Sequence, residues 1–118
     1  MKIAIPVFEN RISPRFDFAP TLLLFNIEGE RITEWKEISC EENDGIQRIS
    51  KLKELGVEIL ICGGLPQYLS GMLNDSGIKV IPWVTGNVSE ALSLFLQGRL
   101  NPGTVCYGKR RRDRFNQI

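Results

Sequence analysis

The sequence changes rhythm once, near residue 44, and that change constrains the fold more than any other feature. Before it lie three apolar, β-branched-rich segments: Lys2–Val7, Thr21–Ile27 and Arg31–Ile38. Only Glu28-Gly29-Glu30 separates the second from the third, so these two form an antiparallel hairpin. After it, helical and extended patterns alternate. Asn43 or Asp44 caps a helix carrying Ile46, Ile49, Leu52 and Leu55 and stopped by Gly56. Val57–Cys62 reads as a fourth strand, broken by Gly63-Gly64. A second helix puts Leu65, Leu69, Met72 and Leu73 on one face and ends at Gly77. Ile78–Ile81 is the fifth strand and Trp83–Gly86 a loop. Asn87 with Glu90 three residues on predicts a capped third helix along Val88, Ala91, Leu92, Phe95 and Leu96.

The order is therefore βββαβαβα. Strands four and five follow crossover helices and run parallel. Right-handed crossovers place strand one in the middle, giving a five-stranded mixed sheet of order 3-2-1-4-5. That is an α/β, ribonuclease-H-like three-layer domain. Its loops after strands one, four and five, Phe8–Pro20, Gly63-Gly64 and Trp83–Gly86, leave at one rim, where open α/β sheets bind ligands.

With 118 residues the chain has the size of one domain. We expect the domain over residues 1–100, followed by a basic, flexible tail over 101–118. Lys109–Arg114 carries five basic residues against Asp113, net +4, and the rest of the chain sums to −3. A bare charge run of this kind is expected to be a solvated end, and nucleic acid is not the expected partner of an acidic body. No apolar run approaches the roughly 18 residues of a membrane helix, and the start does not read as a signal peptide. The expected location is the cytoplasm, with no membrane partner.

There is no histidine, which excludes serine–histidine and cysteine–histidine nucleophile systems and the usual histidine zinc sites. The first strand has no carboxylate and the fourth only Glu58, too few for a two-metal nuclease. Gly63-Gly64 alone is a weak phosphate motif. These exclusions point away from an enzyme.

Cys40, Cys62 and Cys106 are too few and too widely spaced for a disulfide framework. Cys62 ends a strand just before a helix N-terminus, where a thiolate is favoured, and Gly63 and Gly64 let a bulky anion approach the backbone. A small buried apolar cysteine leaves the same signature. Cys106, in the tail, offers a second thiolate at that rim if the tail folds back. Cys40 is remote and incidental. Arg11 and Arg15 either pair with an anionic ligand or, for Arg15, form a pinning salt bridge to Asp17. Trp83 and Tyr68 either wall the site or pack.

The stretches Ile3-Ala4-Ile5-Pro6-Val7, Arg11-Ile12-Ser13-Pro14-Arg15-Phe16-Asp17-Phe18-Ala19, Leu55–Gly64, Gly77–Val80 and Gly86–Leu92 resemble the dinitrogenase iron–molybdenum cofactor biosynthesis family over about residues 1–100. These are accessory proteins that bind nitrogenase cofactor or its precursors. Many members carry a histidine before the Phe-Gly of the first loop; here Arg15 precedes Phe16-Asp17, so that ligand does not carry over. The chain resembles the branch found beside iron–sulfur genes in anaerobes and archaea, as does the ending Cys106–Arg112. The resemblance implies a non-enzymatic carrier of an iron–sulfur or iron–molybdenum-type cluster, with Cys62 and Cys106 as metal ligands and Gly63, Gly64, Arg11 and Arg15 around it. Its partners would be cofactor-assembly proteins or a cluster acceptor. Clusters usually take four thiolates, so a homodimer, a partner or an exogenous ligand would complete the site. The other reading is a regulatory or protein-interaction module without metal, whose basic tail binds an acidic partner.

Overall fold

Lys2–Phe8 forms β1, and in the computed structural model, which describes residues 1–40 and 44–107, its five inner residues are all buried. Ile3, Ile5 and Val7 enter one core and Ala4 the other, as expected of a strand covered on both faces. After a two-residue turn with Glu9 and Asn10 at positive φ, Arg11–Ile12 (β2) folds back on β1. A short 3-10 turn spans Phe16–Phe18. Thr21–Glu28 (β3) and Arg31–Ser39 (β4) make the hairpin. Gly45–Glu54 (α1), Ile59–Ile61 (β5), Gln67–Asp75 (α2), Lys79–Ile81 (β6), Thr85–Gly86 (β7), Val88–Leu96 (α3) and Val105–Cys106 (β8) follow.

The sheet is mixed and runs β4-β3-β1-β5-β6, with β2 added to β1 as a sixth member. β1 pairs antiparallel with β3 and parallel with β5, which pairs parallel with β6. α1 and α2 contribute Ile49, Leu52, Leu69 and Leu73 to the core around Ala4, Leu24 and Leu60. α3 contributes Val88, Ala91 and Leu92 to the core on the opposite face, around Ile3, Ile5 and Phe25. Two helices thus cover one face and one helix the other.

Pro6 shapes the rim. Met1 and Ile27 exchange two backbone bonds (2.8 and 2.7 Å), so the odd residues of β1 bond to β3 and the even ones face β5. The Lys2 carbonyl accordingly accepts from Glu58 N. Pro6 turns its missing N–H toward β5, and the β1–β5 register runs only from Ile3↔Ile59 to Ala4↔Leu60. The sheet opens there, and the returning chain fills the gap: Ser13 N donates to Pro6 O at 2.9 Å.

Two features depart from the sequence expectation. β2 and β7 are added short strands inside the expected loops Phe8–Pro20 and Trp83–Gly86. Residues 101–107, expected in a flexible tail, are built into the fold, with β8 paired parallel to β7 and Cys106 only 3% exposed. The cause lies at Gly86 (φ 103°), where any Cβ would collide with the Cys106 carbonyl. Only glycine admits that approach, and Leu100 and Cys106 then join the core beside Val84. The basic run Lys109–Arg114 lies outside the described residues.

A candidate anion-binding rim

The loops after β1, β5 and β6 meet at the carboxyl ends of the parallel strands. Gly64 N donates to Pro14 O (2.6 Å) and Phe16 N to Gly64 O (2.9 Å), while Trp83 N donates to Gly63 O (2.9 Å). The glycines therefore sit between the first loop and the turn after β6. A Cβ on Gly63 would strike the Ser13 carbonyl and lie 2.9 Å from Pro14 O. At Gly63, the room expected for a bulky anion is taken by the chain's own backbone. Gly64 stays nearer the surface features: its Cβ would meet Arg15 Cδ at 3.1 Å and Trp83 Cζ3 at 3.3 Å.

Arg15 is tethered in plane. Its Nε donates to Asp17 Oδ1 (3.0 Å) and its Nη2 to Asp17 Oδ2 (2.8 Å), and its guanidinium stacks 5.0 Å from the Phe18 ring centre. The pinning salt bridge thus exists. The Arg15 side chain is nevertheless 46% exposed against 13% for Asp17, and the bond to Asp17 uses only its Nε/Nη2 edge. Phe18, Tyr68 and Trp83 are all exposed, and Trp83 holds a positive φ of 63°, rare for so bulky a residue. α2 begins nearby at Gln67 after Pro66, with no side chain capping its first amides. Arg11, also exposed, pairs through its backbone with Asn87, beside the β7–β8 junction.

The cysteines lie elsewhere than a thiolate site requires. Cys62 is fully buried among Ala4, Phe16, Leu60 and Leu65, and burial pushes its thiol up to about 12. The helix terminus does not offset that desolvation, so the expected thiolate is not favoured. Cys106 is buried in the other core, its thiol raised by burial and then by the Glu90 carboxylate. The sheet separates the two sulfurs. Among the described residues no group of three or more cysteine, aspartate or glutamate side chains is placed to hold a metal ion. Shared ligation by Cys62 and Cys106 does not fit this arrangement.

One residue gave no signal in the sequence. Arg48, flanked by Gln47 and near Lys51 and Lys53, looks like part of a solvated helix face. It is 95% buried, and its Nη1 donates to Ala19 O (2.6 Å) and Phe16 O (3.5 Å). It clamps the turn that carries Arg15, Asp17 and Phe18. Nothing in the α1 pattern foretells this, because the first loop has to arrive before the side chain has anything to hold.

Residues 1–98 match the family described as dinitrogenase iron-molybdenum cofactor. The protein MJ0580 of Methanocaldococcus jannaschii is 28% identical over 105 residues, 85% of this chain and 89% of that protein. Among solved structures, PH0822 superposes with a TM-score of 0.80 at 24% identity, over 86% of this chain and 94% of that one. A candidate dinitrogenase of M. jannaschii, MJ0327, gives 0.71 at 26% identity (86% and 92%). The apo orange protein of Desulfovibrio gigas gives 0.72 at 20% identity (86% and 91%), a likeness of fold alone. The chain belongs to the dinitrogenase iron-molybdenum cofactor family.

Proposed function

We propose that this member of the dinitrogenase iron-molybdenum cofactor family carries an anionic metal–sulfur cluster, or a precursor of one, as cargo, and hands it on without transforming it. One observation carries the reading: the half-exposed Arg15 side chain, its guanidinium held in plane by Asp17, packs against Gly64, three residues before the uncapped start of α2 at Gln67. The one guanidinium edge that Asp17 leaves over, between Nη1 and Nη2, and a helix's positive end attract a multiply charged anion. Phe18 and Trp83 add polarizable walls for sulfur-rich cargo. The strand order β4-β3-β1-β5-β6 supports a ribonuclease-H-like assignment, whose ligand edge is this rim.

Such cargo is held by hydrogen bonds and charge, with no thiolate from Cys62 or Cys106. That grip suits delivery, since release breaks no metal–sulfur bond to the protein. Cofactor-assembly proteins and a cluster acceptor are the partners this role requires. The test is anaerobic gel filtration after incubation with iron and sulfide, with and without molybdate, followed by metal analysis. Wild type retains metal and visible colour, and Arg15→Glu loses most of both while remaining folded by circular dichroism. A colourless wild type, or an Arg15→Glu variant that keeps its metal, refutes the proposal. A colourless wild type that binds an acidic protein instead favours the metal-free module.

A further inference from the structure

A small cavity lies behind the rim, between the first loop and α1. Cys40, Arg48 and Lys51 share it with apolar walls, Phe16 and Leu22 among them. Its free space is about 10 Å³, enough for roughly one extra non-hydrogen atom. Arg48, which lines it, has a buried Nε without a hydrogen-bond partner among the described residues, and no described carboxylate pairs with this guanidinium. A buried cation with an unused donor favours an anion beside it. Cys40 is the one cysteine of the three that is not fully buried, and it is in no disulfide. Cations next to a thiol favour its thiolate.

We propose that Cys40 is a sulfane-sulfur acceptor. The Cys40 thiolate attacks the outer sulfur of a persulfide donor, R–S–SH; a new sulfur–sulfur bond forms on Cys40 as the donor's own breaks, and R–S⁻ leaves with the bonding pair. One sulfur moves, no external oxidant or reductant enters, and the product is Cys40–S–SH, whose anion faces Arg48. The free space of the cavity matches one added sulfur atom. The apolar walls favour sulfur over a hydrated oxygen. The site stands independently of the cargo reading, because its chemistry needs no metal.

The test is metal-free and anaerobic: the full chain is incubated with the persulfide of a small thiol, and peptides are mapped by mass. Wild type gains one sulfur, on the Cys40 peptide. Cys40→Ser gains none. Arg48→Met slows the gain about tenfold or more, and Arg48→Lys restores part of the rate, separating charge from shape. Circular dichroism confirms that each variant is folded; if Arg48→Met is not, Lys51→Gln in its place slows the gain several-fold. Sulfur spread over all three cysteines, an unchanged rate in the folded variants, or no uptake by wild type overturns the proposal.

Discussion

Gly63→Ala is the sharpest probe of how the rim is built. The added Cβ points into the Ser13 carbonyl, a backbone atom held by Ser13 N to Pro6 O and by the turn that follows. The loop has to retreat by roughly 1 Å, straining the contact at a cost of about 1–3 kcal/mol. The retreat also weakens two bonds, Gly64 N to Pro14 O and Phe16 N to Gly64 O, worth about 1 kcal/mol each. Together the variant should lose about 2–4 kcal/mol. Urea unfolding followed by tryptophan fluorescence reads the loss, and amide hydrogen exchange at Gly64 and Phe16 localises it. Because Arg15 lies in the same loop, cargo binding weakens with it. A loss below about 0.5 kcal/mol with unchanged exchange would show that Gly63 faces open space and that the first loop does not seal the rim.

The remaining predictions concern particular residues. The buried Cys62 keeps its proton above the value near 9 of an exposed thiol, so between about pH 9 and 12 the unfolded chain binds fewer protons than the folded one and stability falls with rising pH; Cys62→Ala flattens that fall relative to wild type in pH-dependent urea titrations. Asn87 Oδ1 caps α3 by accepting from Glu90 N at 2.7 Å, and Asn87→Ala costs about 1 kcal/mol by thermal unfolding. Gly71 sits within α2 with nothing within 4 Å of its missing Cβ, so Gly71→Ala raises stability by up to about 1 kcal/mol in the same assay.

Much of this fold is written locally. Asp44 accepts from Ile46 N at the start of α1, as its cap position predicts. Gly56, Gly77 and Gly98 take positive φ just past their helices. The hairpin and the two crossover helices follow from turn length and periodicity. The two-residue strands do not, because β2, β7 and β8 owe their form to a distant partner: β2 to the gap that Pro6 leaves, β8 to the space at Gly86. The grouping of the rim residues was legible in part: Arg15, Gly63 and Gly64 do come together, and Trp83 and Tyr68 are exposed. Cys62 shows why the rest was not. A cysteine closing an apolar strand reads the same whether its sulfur faces solvent or the opposite layer, and only the arrival of Phe16 and Leu65 decides it. Cys106 was obscured by its proximity to a basic run, and Arg48 by its polar neighbours along α1.

In the proposed function, charge and hydrogen bonds at the rim hold the cargo, without either buried thiol. Loading the Cys62→Ala/Cys106→Ala protein with iron and sulfide under anaerobic conditions, beside Arg15→Glu, tests it most directly. Near-wild-type metal content and visible absorption are expected in the folded double variant, with loss of both in Arg15→Glu. Loss in the double variant with retention in Arg15→Glu would contradict it and return the metal to the cysteines.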